Sequence, residues 1–473
     1  MNTLNDNGAR LKGNMGTFAL VTTVLAFSAP LSTASGFLTV LIGYGDTGAP
    51  LYFVLCIAIF LFFAVGFCKM GAVMQRPGGF YAYITDGLGK KVGLVSAFVA
   101  AAGYILNGLN LPCFFSLTFQ NFIKNLGGPE LPWWIIGIVT VIVTTFLASR
   151  SIDFSAKVLV VAMTLEVIVL VAFDIGCFVK GAPAGSGGFV LSGIDPKMIG
   201  LGLMFSVCTF FGFEATVIYR EECRKPEKTI PRATIIAIVF IGVFYGIATM
   251  AFVAHYGAND VMAKASADPS GLFYTAIMDL FGKIVLDCVN VIALFSIFAS
   301  CLSVQNIATR YLYSMGVDGV IPKKLGVVNP KYNSPSNAAI AIGIFWAICM
   351  VIFRISGKPA DFLYPMFSGL GTIFIMMVIC MCAVAVPVYF KKHPEYGFGK
   401  FSTVIAPILG IIGVGFVTVM MALKVGDLLG TTSVVTAIFC IIAIIYIIVT
   451  YMYALHIEKK KPDVYAKIGR MDV

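Results

Sequence analysis

The sequence predicts an all-α polytopic membrane protein with twelve transmembrane helices, and three observations carry that reading. Of its 473 residues, 59% are hydrophobic and only 12% are charged, with a mean hydropathy of +0.94. A soluble chain of this size needs far more polar surface. Apolar runs long enough to cross hydrocarbon recur twelve times. The Lys and Arg residues gather on alternate loops, which sets a direction for each span.

The runs lie near 18–42, 51–70, 92–123, 133–149, 155–179 and 198–219, then near 233–255, 284–314, 337–355, 361–390, 404–423 and 432–455. With the N-terminus inside, twenty-five of the 33 Lys and Arg fall on the inner side, Arg10, Lys12, Lys157 and Arg470 among them. Both termini are therefore expected in the cytoplasm, and the even helix count agrees. Residues 1–17 and 456–473 are read as cytoplasmic tails, the second a solvated one. The opening run is expected to be retained and not cleaved as a signal peptide, because its loss would upset that charge parity. The expected location is a cell membrane, most simply a bacterial cytoplasmic membrane. The net charge of +10 is a topology signal, so no nucleic-acid partner is expected; lipid is.

Other functions find little footing. Twelve Cys stand singly with no CxxC pair, so neither a disulfide framework nor a metal site is read. The three His, at 255, 393 and 456, lie near span ends or in loops, and no nucleophile–base pair appears. The chain is not expected to be an enzyme, and no cofactor is implied. The longest outward loop, from about His255 to Lys283, leaves short helices and a lid equally open.

Two runs carry residues that weaken a helix at membrane depth. The first contains 26-AFSAPLSTASGF-37, and the sixth contains Thr209, Gly212 and Glu214 within 204-MFSVCTFFGFEATVIYREECRKPEKTIPRA-233. They are five spans apart and cross the bilayer in opposite directions. Paired breaks of this kind point to an inverted-repeat transporter with its site between them. Gly212 alone would suggest only close helix packing.

The stretch 211-FGFEATVIYREECRKPEKTIPRA-233 resembles the sixth-helix signature of the amino acid–polyamine–organocation superfamily. Two more stretches resemble it at the expected places, 76-RPGGFYAYITDGLG-89 and 305-QNIATRYLYSMGVDGVIPKKLGVVNPKYNSPSNA-338. The resemblance implies ten core helices in two inverted five-helix repeats, about 18–179 and 198–390, plus two peripheral helices over 404–455, working by alternating access. The loops have their own logic. Pro77, Gly78 and Gly79 form a turn, and Arg220 to Arg232 make either a solvated connector or an inner gate.

Proline at 30 obstructs the preceding turn, so the first helix is expected to stop near Ser28–Pro30 and restart near Ser32–Ala34. The restarted half-helix offers free N–H groups at a positive dipole end. Ala29, Pro30, Leu31, Ser32, Thr33 and Ala34 are thus assigned to the α-carboxylate of an amino acid substrate. At the second break, carbonyls around Cys208, Thr209 and Phe210 suit an α-ammonium, with Phe210 and Phe211 as apolar walls and Gly212 as the breaker; Phe213 is read as core. Asn107 and Asn110 either face the site or bond between helices. Pro30, Leu31 and Ser32 replace the family's commoner Gly-Ser-Gly, as in a branch holding both amino acid and polyamine permeases. A neutral amino acid is the expected substrate, because no spare midplane carboxylate is found in the third, eighth or tenth run. A polyamine or other amine permease is the alternative, and a non-transporting amino acid sensor a more distant one.

Two acids remain. Glu166, midway along the fifth run, would cost several kcal/mol if ionised in hydrocarbon. It is assigned to proton coupling, with a single interhelical hydrogen bond as the plain alternative. The resemblance places it where several relatives carry a lysine that substitutes for a sodium ion, so the charge is reversed here. Glu214 is read as bracing the second half-helix. Ser300 and Ser303 suggest hydroxyl ligands without making a secure sodium site. Symport against exchange and the oligomeric state are left open.

Overall fold

Every apolar run becomes helix, because in hydrocarbon only a helix closes its backbone hydrogen bonds within one segment. The computed structural model describes residues 11, 13–74, 76–150 and 152–469; Arg10, Lys12 and Arg470 lie outside these, as does the side chain of Lys157. The first run is three pieces, α1 (Thr17–Ser28), α2 (Pro30–Ser35) and α3 (Phe37–Gly45), and a 3-10 turn leads into α4 (Ala49–Val73). After the turn at Gly78 and Gly79, both with positive φ, come α5 (Phe80–Leu88), α6 (Lys90–Asn125), α7 (Trp133–Ala148) and α8 (Ile152–Lys180). The sixth run is α9 (Ile199–Cys208) followed by a 3-10 helix, Phe213–Glu222. Then follow α10 (Pro226–Tyr256), α11 (Val261–Ala267), α12 (Leu272–Asp318), α13 (Ser336–Ile355) and α14 (Ala360–Lys392). The last elements are α15 (Ala406–Leu423), α16 (Val425–Leu429), α17 (Ser433–Lys460) and α18 (Pro462–Lys467).

Among the described residues, eleven helical stretches are long and apolar enough to cross a membrane, and the shorter α7 supplies the twelfth apolar run. The chain is an all-helical, multi-pass membrane protein. At its centre α6 packs along α14 and α12, and α4 packs along α10. Helix α15 lies against α4 and α14, while α17 reaches the body through α6. Ile438, Ile441, Ile445 and Ile448 of α17 are exposed. An apolar helix with so much outward surface belongs in lipid.

Three details differ from the sequence reading. The first helix restarts at Pro30, two residues early, because proline suits the first helical position. The sixth run resumes as ten residues of 3-10 helix, far beyond the usual few residues of that form. The C-terminal tail is docked: Ile468 is fully buried, the Gly469 amide donates to Asp318 Oδ2 at 3.0 Å, and Lys90 Nζ donates to the Ala466 carbonyl at 2.8 Å. The loop from about His255 to Lys283, left open above, holds short helices. Val261 and Ala265 of α11 are buried, α11 packs on α3, and the Tyr256 hydroxyl donates to the Leu272 carbonyl at 2.7 Å.

Candidate substrate site at two helix breaks

The two breaks meet. At the first, Ala29 adopts a left-handed conformation, φ 44°, which separates α1 from α2 and leaves the last carbonyls of α1 without helical partners. Side chains supply the missing donors. Thr33 Oγ1 donates to the Ser28 carbonyl at 2.5 Å and Ser300 Oγ to Phe27 at 2.8 Å; one turn earlier, Ser303 Oγ adds a second donor to the Thr23 carbonyl at 2.8 Å. The hydroxyls of Ser300 and Ser303 are thus committed to holding α1 against α12. Pro30, Leu31, Thr33 and Ala34 are buried.

At the second break α9 ends at Cys208 and the chain turns through Thr209 to Gly212. Gly212 has φ 118°, and a Cβ there would stand 2.3 Å from the Val24 carbonyl oxygen of α1. Both readings of this glycine therefore hold, since it breaks one helix and brings it against the other. Ser28 Oγ donates across the junction to the Thr209 carbonyl at 3.1 Å and also shares a hydrogen bond with the Tyr245 hydroxyl. The Thr209 carbonyl, expected to receive a substrate ammonium, already has one donor.

Glu166 lies at the first break. Its Oε2 accepts from Ser296 Oγ at 2.6 Å and from the Leu31 amide at 3.3 Å, the first N–H that α2 can offer after its proline. Its Oε1 and the hydroxyl of Ser32 are buried with no hydrogen-bond partner among the described residues. The carboxyl of Glu166 thus sits at the same half-helix terminus that the sequence assigned to a substrate carboxylate. Buried polar atoms left open in this way are the ones a bound molecule or proton would engage.

Glu214 is fully buried and holds the second break together. The Gly212 amide donates to its Oε2 at 2.8 Å, and the Tyr104 hydroxyl of α6 donates to its Oε1 at 2.7 Å. Tyr104 in turn stacks on Tyr311 at 5.5 Å. Phe210 sits elsewhere than expected. Its ring packs 5.1 Å from Phe60 and 6.2 Å from Phe53 of α4, beside Phe213, which is 4.8 Å from Phe60. Both rings fill core between α4 and the second break, whereas Phe211 is buried outside that pairing. Asn107 packs its Cβ against Gly371 of α14, and Asn110 Nδ2 donates to the Asn107 carbonyl at 2.5 Å. Asn107 serves the contact between α6 and α14.

The sequence reading missed Ser28, Tyr104, Tyr245 and Ser296. Tyrosines deep in an apolar span were the available signal, because a buried phenol needs a partner for its hydroxyl.

Below the second break the 3-10 helix ends in a buried ion pair. Arg310 Nε and Nη2 donate to the two carboxylate oxygens of Glu222 at 2.6 and 2.7 Å, and the guanidinium lies 4.6 Å from the Tyr219 ring. The Met15 amide donates to the Glu222 carbonyl at 3.0 Å, and Arg220 Nη1 donates to the Gly71 carbonyl at 2.9 Å. The stretch from Arg220 to Arg232 is therefore divided: its first residues knit α12, α4 and the N-terminal segment together, while Arg224, Lys225 and Lys228 are exposed. Glu222→Leu alone strands a buried guanidinium and is expected to cost about 3–5 kcal/mol. Pairing it with Arg310→Met should recover much of that loss in thermal unfolding of the purified protein. A double variant as unstable as the single one would show that the charge pairing is not what holds this junction.

Residues 16–449 match the family described as amino acid permease. Among curated relatives, the branched-chain amino acid permease BcaP of Lactococcus lactis subsp. cremoris is 24% identical over 79% of this chain and 82% of its own length. The low-affinity putrescine importer PlaP of Escherichia coli K12 is 24% identical over 72% of this chain and 75% of its own. Histidine permease HisP of Lactococcus lactis is 26% identical over 65% and 66%. With this match spanning nearly the whole chain, and two broken helices meeting at its centre, the protein is a membrane transporter, not an enzyme, and belongs to the amino acid permease family.

Proposed function

We propose that this permease moves neutral amino acids across a bacterial cytoplasmic membrane by alternating access, with proton binding at Glu166 coupled to substrate binding. The observation that carries the proposal is the position of the Glu166 carboxyl on the Leu31 amide, with Oε1 and the neighbouring Ser32 hydroxyl unpartnered among the described residues. A substrate carboxylate can share that half-helix terminus with Glu166 only when Glu166 is neutral, because two like charges in a water-poor site repel strongly. Proton and amino acid would then bind together. Ala29 to Ala34 would bind the carboxylate end, and Cys208 to Gly212 the ammonium end, with Phe211 the remaining aromatic wall. Two inverted repeats, about 18–179 and 198–390, would supply the moving parts, with 404–455 peripheral and both termini cytoplasmic.

The same carboxyl favours one second reading. An amine without a carboxylate would pair directly with ionised Glu166, and the likeness to a putrescine importer supports keeping that case open. Uptake into proteoliposomes separates the two. Alanine or leucine should compete and their methyl esters should not, and apparent affinity for the free amino acid should rise as pH falls. Competition by putrescine, lysine or arginine that strengthens as pH rises, with none by alanine or leucine, would establish the amine reading instead.

A further inference from the structure

Helices α4 and α10 part at one end and leave a hollow of about 390 Å³ on the outer wall of the bundle. That is ligand-sized, at the lower end of the usual range. Its walls are one face of each helix. Ala64, Val65 and Cys68 line it from α4, Pro231 and Ile235 from α10. Small residues make the space, since Ala64 and the proline ring leave volume that larger side chains would fill. Its floor is closed where Cys68 Sγ approaches the Pro231 carbonyl at 3.9 Å.

Two opposite charges also line this hollow, Lys69 near the end of α4 and Glu227 in the first turn of α10. They lie at the ends of their spans, at the level of lipid headgroups, while Val65 and Ile235 lie one and two turns deeper. Both charged residues are exposed, and neither belongs to an ion pair among the described residues. The Lys69 ammonium lies 5.0 Å from the Phe398 ring. A cation and an anion that share one apolar-walled hollow without meeting each other match a ligand carrying both charges.

We infer that this hollow binds a zwitterionic phospholipid with a primary ammonium headgroup, phosphatidylethanolamine. Lys69 meets its phosphate, Glu227 accepts hydrogen bonds from its ammonium, and an acyl chain runs down between Val65 and Ile235. Lysine binds phosphate as a point charge, and the hydrocarbon contact adds apolar burial. An anionic headgroup would satisfy Lys69 but face Glu227. Phosphatidylcholine would keep the charges but offer Glu227 no N–H donor.

The test is thermal unfolding of the full-length protein in mixed micelles, titrated with phosphatidylethanolamine, phosphatidylcholine or phosphatidylglycerol of identical acyl chains. Phosphatidylethanolamine is expected to raise the unfolding temperature at the lowest concentration. Lys69→Met and Glu227→Gln should each weaken its apparent affinity on the order of fivefold, the worth of one charge at a lipid surface. Both residues are exposed, so both variants should fold. Val65→Trp, which fills the hollow, should remove the shift. Equal stabilisation by phosphatidylglycerol or phosphatidylcholine, or charge variants that respond to phosphatidylethanolamine as the wild type does, would overturn the assignment.

Discussion

Gly212→Ala is expected to abolish transport and to destabilise the protein by roughly 2–6 kcal/mol, summing backbone strain and overpacking. The backbone at 212 has φ 118°, and the added Cβ would stand 2.3 Å from the carbonyl oxygen of Val24. Neither problem has a cheap escape, because the obstructing atom is backbone of α1 and not the end of a flexible side chain. Relief requires the two broken helices to move apart, and that separates Ser28 from Thr209 as well. Gly415→Ala is the matched control. It lies in α15 with nothing within 4 Å of the new atom, and alanine is the better helix former by about 1 kcal/mol. The measurement is thermal unfolding together with uptake for both variants. If Gly212→Ala behaved like Gly415→Ala, the junction of the two breaks would not be the rigid centre described here.

The second large effect is expected at Glu166. Glu166→Gln keeps the shape and the hydrogen bonds to Ser296 and Leu31 within reach, and it removes the titrating proton. It mimics the neutral form, the form proposed to admit a substrate carboxylate. Substrate binding and exchange should therefore persist, while accumulation driven by an imposed proton gradient should fall by on the order of tenfold, within the usual range of coupling between two ligands. The rise of affinity at low pH should flatten. A Gln variant that keeps the wild-type response to pH and to the gradient would remove Glu166 from the coupling mechanism and leave it an interhelical hydrogen-bond partner.

Both breaks were legible because proline and glycine at membrane depth interrupt the one form of backbone pairing that hydrocarbon allows a single segment. Glu166 was legible because an acid in hydrocarbon demands a partner. The exact restart at Pro30 was not, since it depends on Ala29 taking a left-handed conformation that alanine rarely adopts. Phe210 was misplaced for a related reason. Its side-chain direction follows from the turn geometry between Thr209 and Gly212, and a run of phenylalanines does not reveal which ring faces α4. The pairing of Arg310 with Glu222 joins residues 88 positions apart, and the Ser28–Thr209 contact joins residues 181 apart. Such partners are chosen by packing in three dimensions, which a single sequence does not display. The docked tail escaped for the opposite reason. A short basic segment resembles any solvated end until the residues beneath it, Asp318 and Lys90, are seen to hold it.

That tail has a practical consequence. Its Gly469 amide is held by the carboxylate of Asp318, the residue that closes α12, and the same Oδ2 accepts from the Tyr81 hydroxyl of α5 at 2.6 Å. One oxygen atom therefore ties three separate parts of the chain: the end of α12, the helix between the second and third runs, and the C-terminal segment. A fluorophore attached near residue 466 would rest on that knot, and its emission would change if α5, α12 and the tail were to come apart. The tail thus offers a place for an optical label on the surface contact itself, away from the two helix breaks.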